Sequence, residues 1–404
     1  MPANFGIGTL VSARTIVIAG AGIGGLTAAL ALAARGFRVA LLDKAGKLEE
    51  TGAGIQLSPN ATRVLLGLGL RERLVPAVVA PDAVIIKTAQ GAELARLPLG
   101  PGAETRYGAP YWMIHRGDLQ AALLGAALAH HDITLTLGAA VDDCAAHANG
   151  VTVQVLRGQS VEEIHAGALI GADGLWSRVR ALAGEPDAAR FARRTAWRAL
   201  VLADAVAPEF RAPAIHLWLG HGSHLVHYPV KAGAMINIVA IAGDARPSTG
   251  WSTAAAPDEV LARFSAAAWA RPARDLLALP ERWLKWPLYD RPPRPHRGRG
   301  AVTLLGDAAH PMLPFLAQGA AMAIEDAAAL AAALAAAPND AAAALRRYEA
   351  ARGPRTARVQ RAARLNDTVY HLAWPASAAR DFAMGRMGNE RLLAHYDWIY
   401  DWKL

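Results

Sequence analysis

The apolar positions of residues 15–43, TIVIAGAGIGGLTAALALAARGFRVALLD, fall into three blocks. Ile16, Val17 and Ile18 form a β-branched run with no polar alternation, the pattern of a strand buried on both faces. An Ala/Leu stretch follows as far as Arg35 and predicts a helix, with Gly36 at C′, where a residue with φ > 0 is wanted. Arg38 to Leu42 repeats the strand pattern and ends on Asp43, 18 residues after Gly25. Between the first strand and the helix stands Gly20-x-Gly22-x-x-Gly25. Gly20 permits the tight turn, Gly22 admits a pyrophosphate to the backbone, and Gly25 lets helix and strand pack closely. The helix N-terminus offers free N–H groups and partial positive charge to phosphates, and Asp43 can accept from ribose hydroxyls. With strand before, helix after and acid at this distance, the unit reads as a binder of FAD or NAD.

Beyond Asp43 the pattern changes twice. Residues 51–70 read as a second glycine-rich turn, a cap region and an amphipathic helix; residues 82–97 read as a hairpin turning at Gln90-Gly91. Residues 115–130 predict a helix with Leu119, Leu123 and Leu128 inward, and strands are expected at 133–137, 151–156 and 168–174. From 195 to 240 strand-like runs are split by short turns with no helix between them, which predicts an antiparallel sheet. Residues 255–290 read as helical and rich in tryptophan. At 300 the first pattern resumes: an apolar strand expected to abut the first one, a loop, and a long alanine helix. The expected division is a discontinuous nucleotide-binding domain (14–75, 110–190 and 295–365) and a substrate domain (76–109 and 191–294). A C-terminal helix and aromatic tail (366–404) complete the chain.

Composition narrows the class. The 404 residues are 53% apolar and 19% charged, ordinary for a globular protein. No 18-residue stretch lacks charge; the longest candidate, 319–338, carries Glu325 and Asp326, so no membrane span is expected. The opening MPANFGIGTLVSA lacks a basic segment and reads as a lead-in to the first strand, not a signal peptide. A single cysteine, Cys144, excludes an intrachain disulfide and fits a reducing cytoplasm. The net charge of +8 is spread along the chain, unlike a nucleic-acid binder, and the one dense cluster, 291–300, reads as a loop.

Two further stretches carry chemistry: GADGLWSRVR (171–180) and LLGDAAHPMLPFLAQGAAMAIEDAAAL (304–330). With the opening fingerprint they resemble the three ordered motifs of the single-component (group A) FAD-dependent aromatic hydroxylases. The nearest branch is that of salicylate hydroxylase, 3-hydroxybenzoate 6-hydroxylase and 6-hydroxynicotinate 3-monooxygenase. The resemblance spans Thr15 to about Arg361. It implies an α/β fold, a Rossmann-like FAD-binding domain with an inserted, mostly antiparallel substrate sheet and a C-terminal helical segment. The cofactor residues it implies are Gly20, Gly22, Gly24, Gly25, Asp43, Gly54, Arg116, Asp173, Asp307, Gly319 and Ala320, with no metal. Asp307 would hold a ribityl or ribose hydroxyl, and the helix opening at Gly319-Ala320 would face the flavin with its positive end. Asp173 and Arg178 match residues that hold FAD and admit the nicotinamide. No second GxGxxG is present, so NADH or NADPH would dock transiently.

The chemistry implied by this resemblance is aromatic catabolism. NAD(P)H reduces the flavin, O2 adds at C4a, and the hydroperoxide delivers oxygen to a phenolic acid activated by deprotonation. A histidine base suits that step. His224 and Tyr228 match the family's base and a neighbouring tyrosine, four apart and so on one strand face, with Gln318 completing their cluster. His227 would point to the other face. Gln56 and Phe315 depart from the 6-hydroxynicotinate branch, which favours a hydroxybenzoate over a hydroxypyridine carboxylate. The partners implied are the aromatic acid, O2 and NAD(P)H, with no nucleic acid; homodimer formation stays open. The rival readings are an FAD-binding sensor, which would not consume NAD(P)H with any aromatic acid, and an NAD-dependent dehydrogenase, which would not purify yellow.

Overall fold

The computed structural model describes residues 14–48, 53–185, 188–247, 252–293 and 298–404. The lead-in at 1–13, the first residues of the second glycine-rich turn and the middle of the arginine-rich loop (294–297) lie outside the described residues.

Five parallel strands form the first sheet, in the order Val302–Leu304, Ala168–Gly171, Thr15–Ala19, Arg38–Asp43, Ile133–Leu137. Thr15–Ala19 is central, which is why its β-branched run carries no polar position: Val17 and Ile18 are fully buried. Ile16 and Ile18 face a core made with the helices Ile23–Ala33, Arg116–Leu128 and Gly319–Ala336. Val17 and Ala19 face a second core, built on the antiparallel strands Ala139–His147, Gly150–Arg157 and Ser160–Ala166. Only the middle strand of those three is apparent in the sequence. Its neighbours, AAVDDCAAH and SVEEIHA, are rich in Ala, Asp and Glu, residues depleted in strands. The strand before Asp307 pairs with Ala168–Gly171, so it lies two places from Thr15–Ala19, not beside it.

Eight strands form the other large sheet, in the order Thr253–Ala255, Trp283–Asp290, Arg190–Leu202, Met235–Gly243, Ser223–Val230, Ala214–Gly220, Ala83–Thr88, Glu93–Pro98. Every pairing is antiparallel except that of Ala214–Gly220 with Ala83–Thr88. Residues 283–290 thus correct the helical expectation: WLKWPLYD is a strand paired with Arg190–Leu202, and its Trp, Leu and Tyr suit a half-buried pleated surface. Helices occupy only Pro257–Leu261 and Arg271–Ala278 of that region. One face of this sheet buries Trp197, Trp218, Leu225, Ile238 and Trp283; the other turns toward the nucleotide-binding unit.

Leu128 is also corrected. It is 64% exposed while Leu119 and Leu123 are fully buried. Nine residues at about 100° each place Leu128 half a turn round from Leu119, and Ala127 takes the inward position.

The helix Gly319–Ala336 is long and apolar enough to cross a membrane, but it packs between Ile23–Ala33 and the long helix Ala341–Tyr370. Its two acids, Glu325 and Asp326, are completely buried and pair with Arg352 and Arg355 of the long helix. The chain then folds back through three short helices. Asp397 meets Arg106 at 2.6 Å and the Tyr107 hydroxyl at 2.7 Å, and the Trp398 and Ile399 carbonyls accept from Arg355.

Candidate active site

The fingerprint loop is set by steric needs that differ glycine by glycine. Gly20 has φ 105°, and a Cβ there would stand 2.4 Å from the Ala172 carbonyl oxygen. A Cβ on Gly25 would stand 1.8 Å from the Gly20 carbonyl oxygen, and one on Gly24 would strike Leu305 and Ala323. Gly22 differs from all three: a Cβ there meets nothing within 4 Å. The first three are therefore packing glycines, whereas Gly22 borders open space. Asp43 closes the loop, accepting from the Ala21 N–H at 2.7 Å and the Ala45 N–H at 2.9 Å.

That open space is a cavity of about 350 Å³ between the two large sheets. Of the residues singled out in the sequence, Gly22, Gly24, Gly54, Arg116, His224, Tyr228, Asp307, Gly319 and Ala320 line it. Gly20, Gly25, Asp43, Asp173 and Gln318 do not. Asp173 caps a turn instead, accepting from the Ser177 hydroxyl and from the N–H groups of Arg178 and Val179, while its neighbours Ala172 and Gly174 line the wall. Arg178 turns outward to the Asp142 carbonyl. Gly54 has a reason of its own. A Cβ would be 2.7 Å from the Tyr228 ring, and its N–H donates to Asn237 Oδ1 at 2.7 Å, so the strand Gly54–Leu57 can lie directly on the substrate sheet.

The cavity is electropositive at the places a dinucleotide would use. The 18-residue helix Gly319–Ala336 opens onto it with no side-chain cap, leaving its first N–H groups to the space. Ala317, at φ 52°, turns the chain into that helix. Asp307 exposes its carboxyl along the wall; burial of the surroundings raises it, against His310 and Arg116. Gly22, the uncapped helix, Arg116 and Asp307 thus present the space, donors and hydroxyl acceptor that FAD needs.

The substrate sheet supplies the opposite wall by strict alternation. His224, Val226 and Tyr228 face the cavity, opposed on the next strand by Ile241, Val239 and Asn237. Arg198, opposite Val239 on the strand beyond, also lines the wall. Burial lowers its guanidinium from the ordinary value, and its Nε makes no hydrogen bond among the described residues. Sequence reasoning missed Arg198; the signal was a lone cation inside the apolar run TAWRALVL. Burial raises the Tyr228 phenol well above its usual value, with Arg198 and a hydrogen bond to Gln56 opposing. Gln56 also accepts from the Tyr111 hydroxyl at 2.8 Å.

His224 is 2% exposed, and burial pushes its imidazole well below the ordinary value, helped by His371 and Arg194. Its Nδ1 lies 2.8 Å from His371 Nε2. His227 takes the other face as its parity requires, stacked on His216 and accepting from the Trp218 indole at 3.1 Å. Gln318 does not join His224 and Tyr228. Its amide donates to the Ser58 hydroxyl at 2.8 Å and accepts from Asn60 at 3.2 Å, within a fully buried cluster tied to Glu325. Helix-start geometry turns its side chain back toward 58–60 and away from the cavity.

A smaller cavity, about 100 Å³, adjoins the first and shares Gln56, His224, Val226, Pro314 and Ala317 with it. Phe315, Tyr370 and the tail residues Leu392, Tyr396 and Tyr400 line it. The aromatic tail therefore forms part of a wall next to His224.

Residues 13–363 match the family model described as FAD binding domain. The chain belongs to that family. It is 39% identical over 392 residues to 3-hydroxybenzoate 6-hydroxylase 1 of Aquipseudomonas alcaligenes, covering 96% of this chain and 97% of that one. It is 36% identical to 6-hydroxynicotinate 3-monooxygenase of Bordetella bronchiseptica, over 86% and 89% of the two chains. The fold is similar to that of a salicylate hydroxylase substrate complex, with TM-score 0.80, 27% identity and 96% of each chain covered. The protein is an FAD-dependent monooxygenase of α/β architecture that uses NAD(P)H.

Proposed function

We propose that this monooxygenase hydroxylates a phenolic aromatic acid, a hydroxybenzoate such as 3-hydroxybenzoate or salicylate, with His224 as the base that activates the ring. The observation that carries the reading is the placement of His224 and Arg198 on one wall, a base and an anion receptor facing the same space. When bound, FAD supplies the reducing equivalents taken from NAD(P)H and the oxygen chemistry. Gly22, Arg116, Asp307 and the N-termini at Gly319 and Ala320 would hold it against the parallel sheet, with Gly20, Gly24, Gly25, Asp43 and Asp173 shaping the loops behind.

Arg198 would receive the substrate carboxylate, because a buried guanidinium with no counterion among the described residues gains most from a bidentate anion. Tyr228 stands four residues from His224 on the same face and orients the ring through its hydroxyl and Gln56. His224 then accepts the phenol proton, raising electron density at the ring carbons. Gln318 acts at one remove, fixing the turn that carries the helix start. Phe315 and the tail tyrosines close the apolar side and exclude water. Gln56 and Phe315 suit a benzene ring better than the hydroxypyridine carboxylate of the alternative reading. The single half-buried thiol, Cys144, suits a cytoplasmic location.

The test is substrate-stimulated oxidation of NADH and NADPH across hydroxybenzoates and hydroxypyridine carboxylates, with product identified by mass. A hydroxylated benzoate formed near one per NAD(P)H is expected; stimulation by pyridines alone overturns the reading. His224→Ala should keep FAD and its reduction but lose about 10²–10⁴-fold in hydroxylation, releasing the consumed oxygen as H2O2. An unchanged product ratio would show that His224 is not the base.

A further inference from the structure

We propose that His371 and Asp367 are positioning residues for His224: they fix its tautomer with Nε2 bare toward the cavity and take over the proton it accepts. The inference rests on the reading of His224 as base. Both residues come from the end of the helix Ala341–Tyr370, where His371 is the C-cap and lies 147 positions from His224 in the chain.

The hydrogen bonds determine the tautomers in sequence. His371 Nδ1 lies 2.6 Å from the Asp367 carbonyl oxygen and 3.0 Å from that residue's carboxylate. A carbonyl can only accept, so Nδ1 of His371 carries the hydrogen. Neutral His371 then presents a lone pair at Nε2, and the 2.8 Å contact requires His224 Nδ1 to be the donor. The remaining nitrogen of His224, Nε2, makes no hydrogen bond among the described residues, and His224 lines both cavities. The ring is held as a base before any substrate arrives.

The same chain disposes of the proton. A cation left on His224 would sit against the rings of Phe315 and Tyr370, whose centroids are 5.3 and 5.5 Å away, with Arg194 nearby and Arg198 and Tyr228 on the cavity side. Low polarity and neighbouring cations disfavour that state. As the phenol O–H breaks and the Nε2–H of His224 forms, the Nδ1–H of His224 can break and the Nε2–H of His371 form. No electrons are exchanged between oxidation states. The products are a phenolate and an imidazolium at His371, which stands beside the Asp367 carboxylate. Asp367 is itself held by Arg194 at 2.8 Å and is 23% exposed, where solvent can collect the proton.

The test compares His371→Gln and Asp367→Asn with His224→Ala in the FAD-loaded enzyme, using 3-hydroxybenzoate as probe. One readout needs no turnover: absorbance titration of the phenol bound to the oxidised enzyme. Each substitution should raise its apparent pKa by about one unit, a tenfold loss of phenolate at a given pH. Product per NAD(P)H should fall with it while FAD is retained. If both variants keep the wild-type titration and coupling while His224→Ala loses them, the relay is wrong and the base stands. If His224→Ala itself keeps them, the base reading has failed. Should His371→Gln not fold, imidazole ¹⁵N NMR of the wild type decides: a protonated Nε2 and bare Nδ1 on His224 overturn the proposal.

Discussion

Asp326→Asn probes how the cofactor turn is supported from behind. Asp326 is fully buried and uses both oxygens: Oδ1 accepts from Arg352 Nε at 2.6 Å, and Oδ2 meets His310 Nε2 at 2.5 Å and the Gly306 N–H at 3.0 Å. The last bond holds the residue before Asp307. An amide keeps one oxygen and turns an NH2 toward donors, so either Arg352 or the Gly306 N–H loses its acceptor. Breaking one side of a buried ion pair costs about 3–5 kcal/mol. At about 2.1 cal/mol/K per residue, 404 residues carry roughly 0.85 kcal/mol/K of unfolding entropy, so the loss reads as about 4–6 °C in melting temperature. Calorimetry of the holoenzyme measures it, and fluorescence of released flavin should show FAD leaving at lower temperature. The pH dependence has a fixed sign. Burial alone would raise this carboxyl, but His310 and Arg352 override it and hold it well below the usual range. Its contribution is therefore complete above the unfolded value of about 4 and is lost as pH falls through the folded value. The gap between wild type and Asp326→Asn should narrow below about pH 4. A variant that melts with the wild type at neutral pH and keeps its flavin would refute the reasoning.

Gly22→Ala and Gly20→Ala separate cofactor space from packing. The first should leave the apoprotein's melting temperature unchanged while lowering flavin content; the second, with its Cβ 2.4 Å from a carbonyl oxygen, should lower both, and equal apoprotein stabilities would contradict this. His216 makes a different forecast. Burial, with Lys87 and Arg96, lowers its imidazole to about 4, so the unfolded chain gains a proton below about pH 6.5 that the fold refuses. Stability should fall by about 1.36 kcal/mol per unit between those values, and His216→Phe should flatten urea midpoints plotted against pH; identical slopes would refute it.

What was legible in the sequence was what neighbours along the chain dictate. The turn at Gly20, the helix stop at Gly36 and the buried run at Ile16–Ile18 follow from steric and burial rules acting within a few residues. The strand Trp283–Asp290 was misread because its length and flanking helices fit a helical segment, and only pairing with Arg190–Leu202 gives its tryptophans a sheet to lie on. Gln318 sits at the right place in its motif, yet whether its amide reaches the cavity depends on Ser58 and Asn60, some 260 residues away. His371 left one faint trace, an Asp–His spacing of four at a helix end, which by itself is an ordinary surface pair. Nothing local says that this pair meets His224.

The histidines of the substrate sheet show why burial and basicity alone would not single out the proposed base. His224 and His227 are three apart on one strand, both almost wholly buried, and burial pushes both well below the ordinary imidazole value. Strand parity sends one to the cavity and the other into the Trp197–Trp218 core. His227 accepts a hydrogen bond from the Trp218 indole and stacks on His216, whose own two ring nitrogens make no hydrogen bond among the described residues, so a proton arriving there meets no described anion. Burial disfavours a proton on His224 as well, but its Nδ1 leads through His371 to a carboxylate near the surface. A buried imidazole can act as a base at neutral pH only if the charge it would acquire can be placed elsewhere. On this sheet that condition is met at His224 and not at its neighbour.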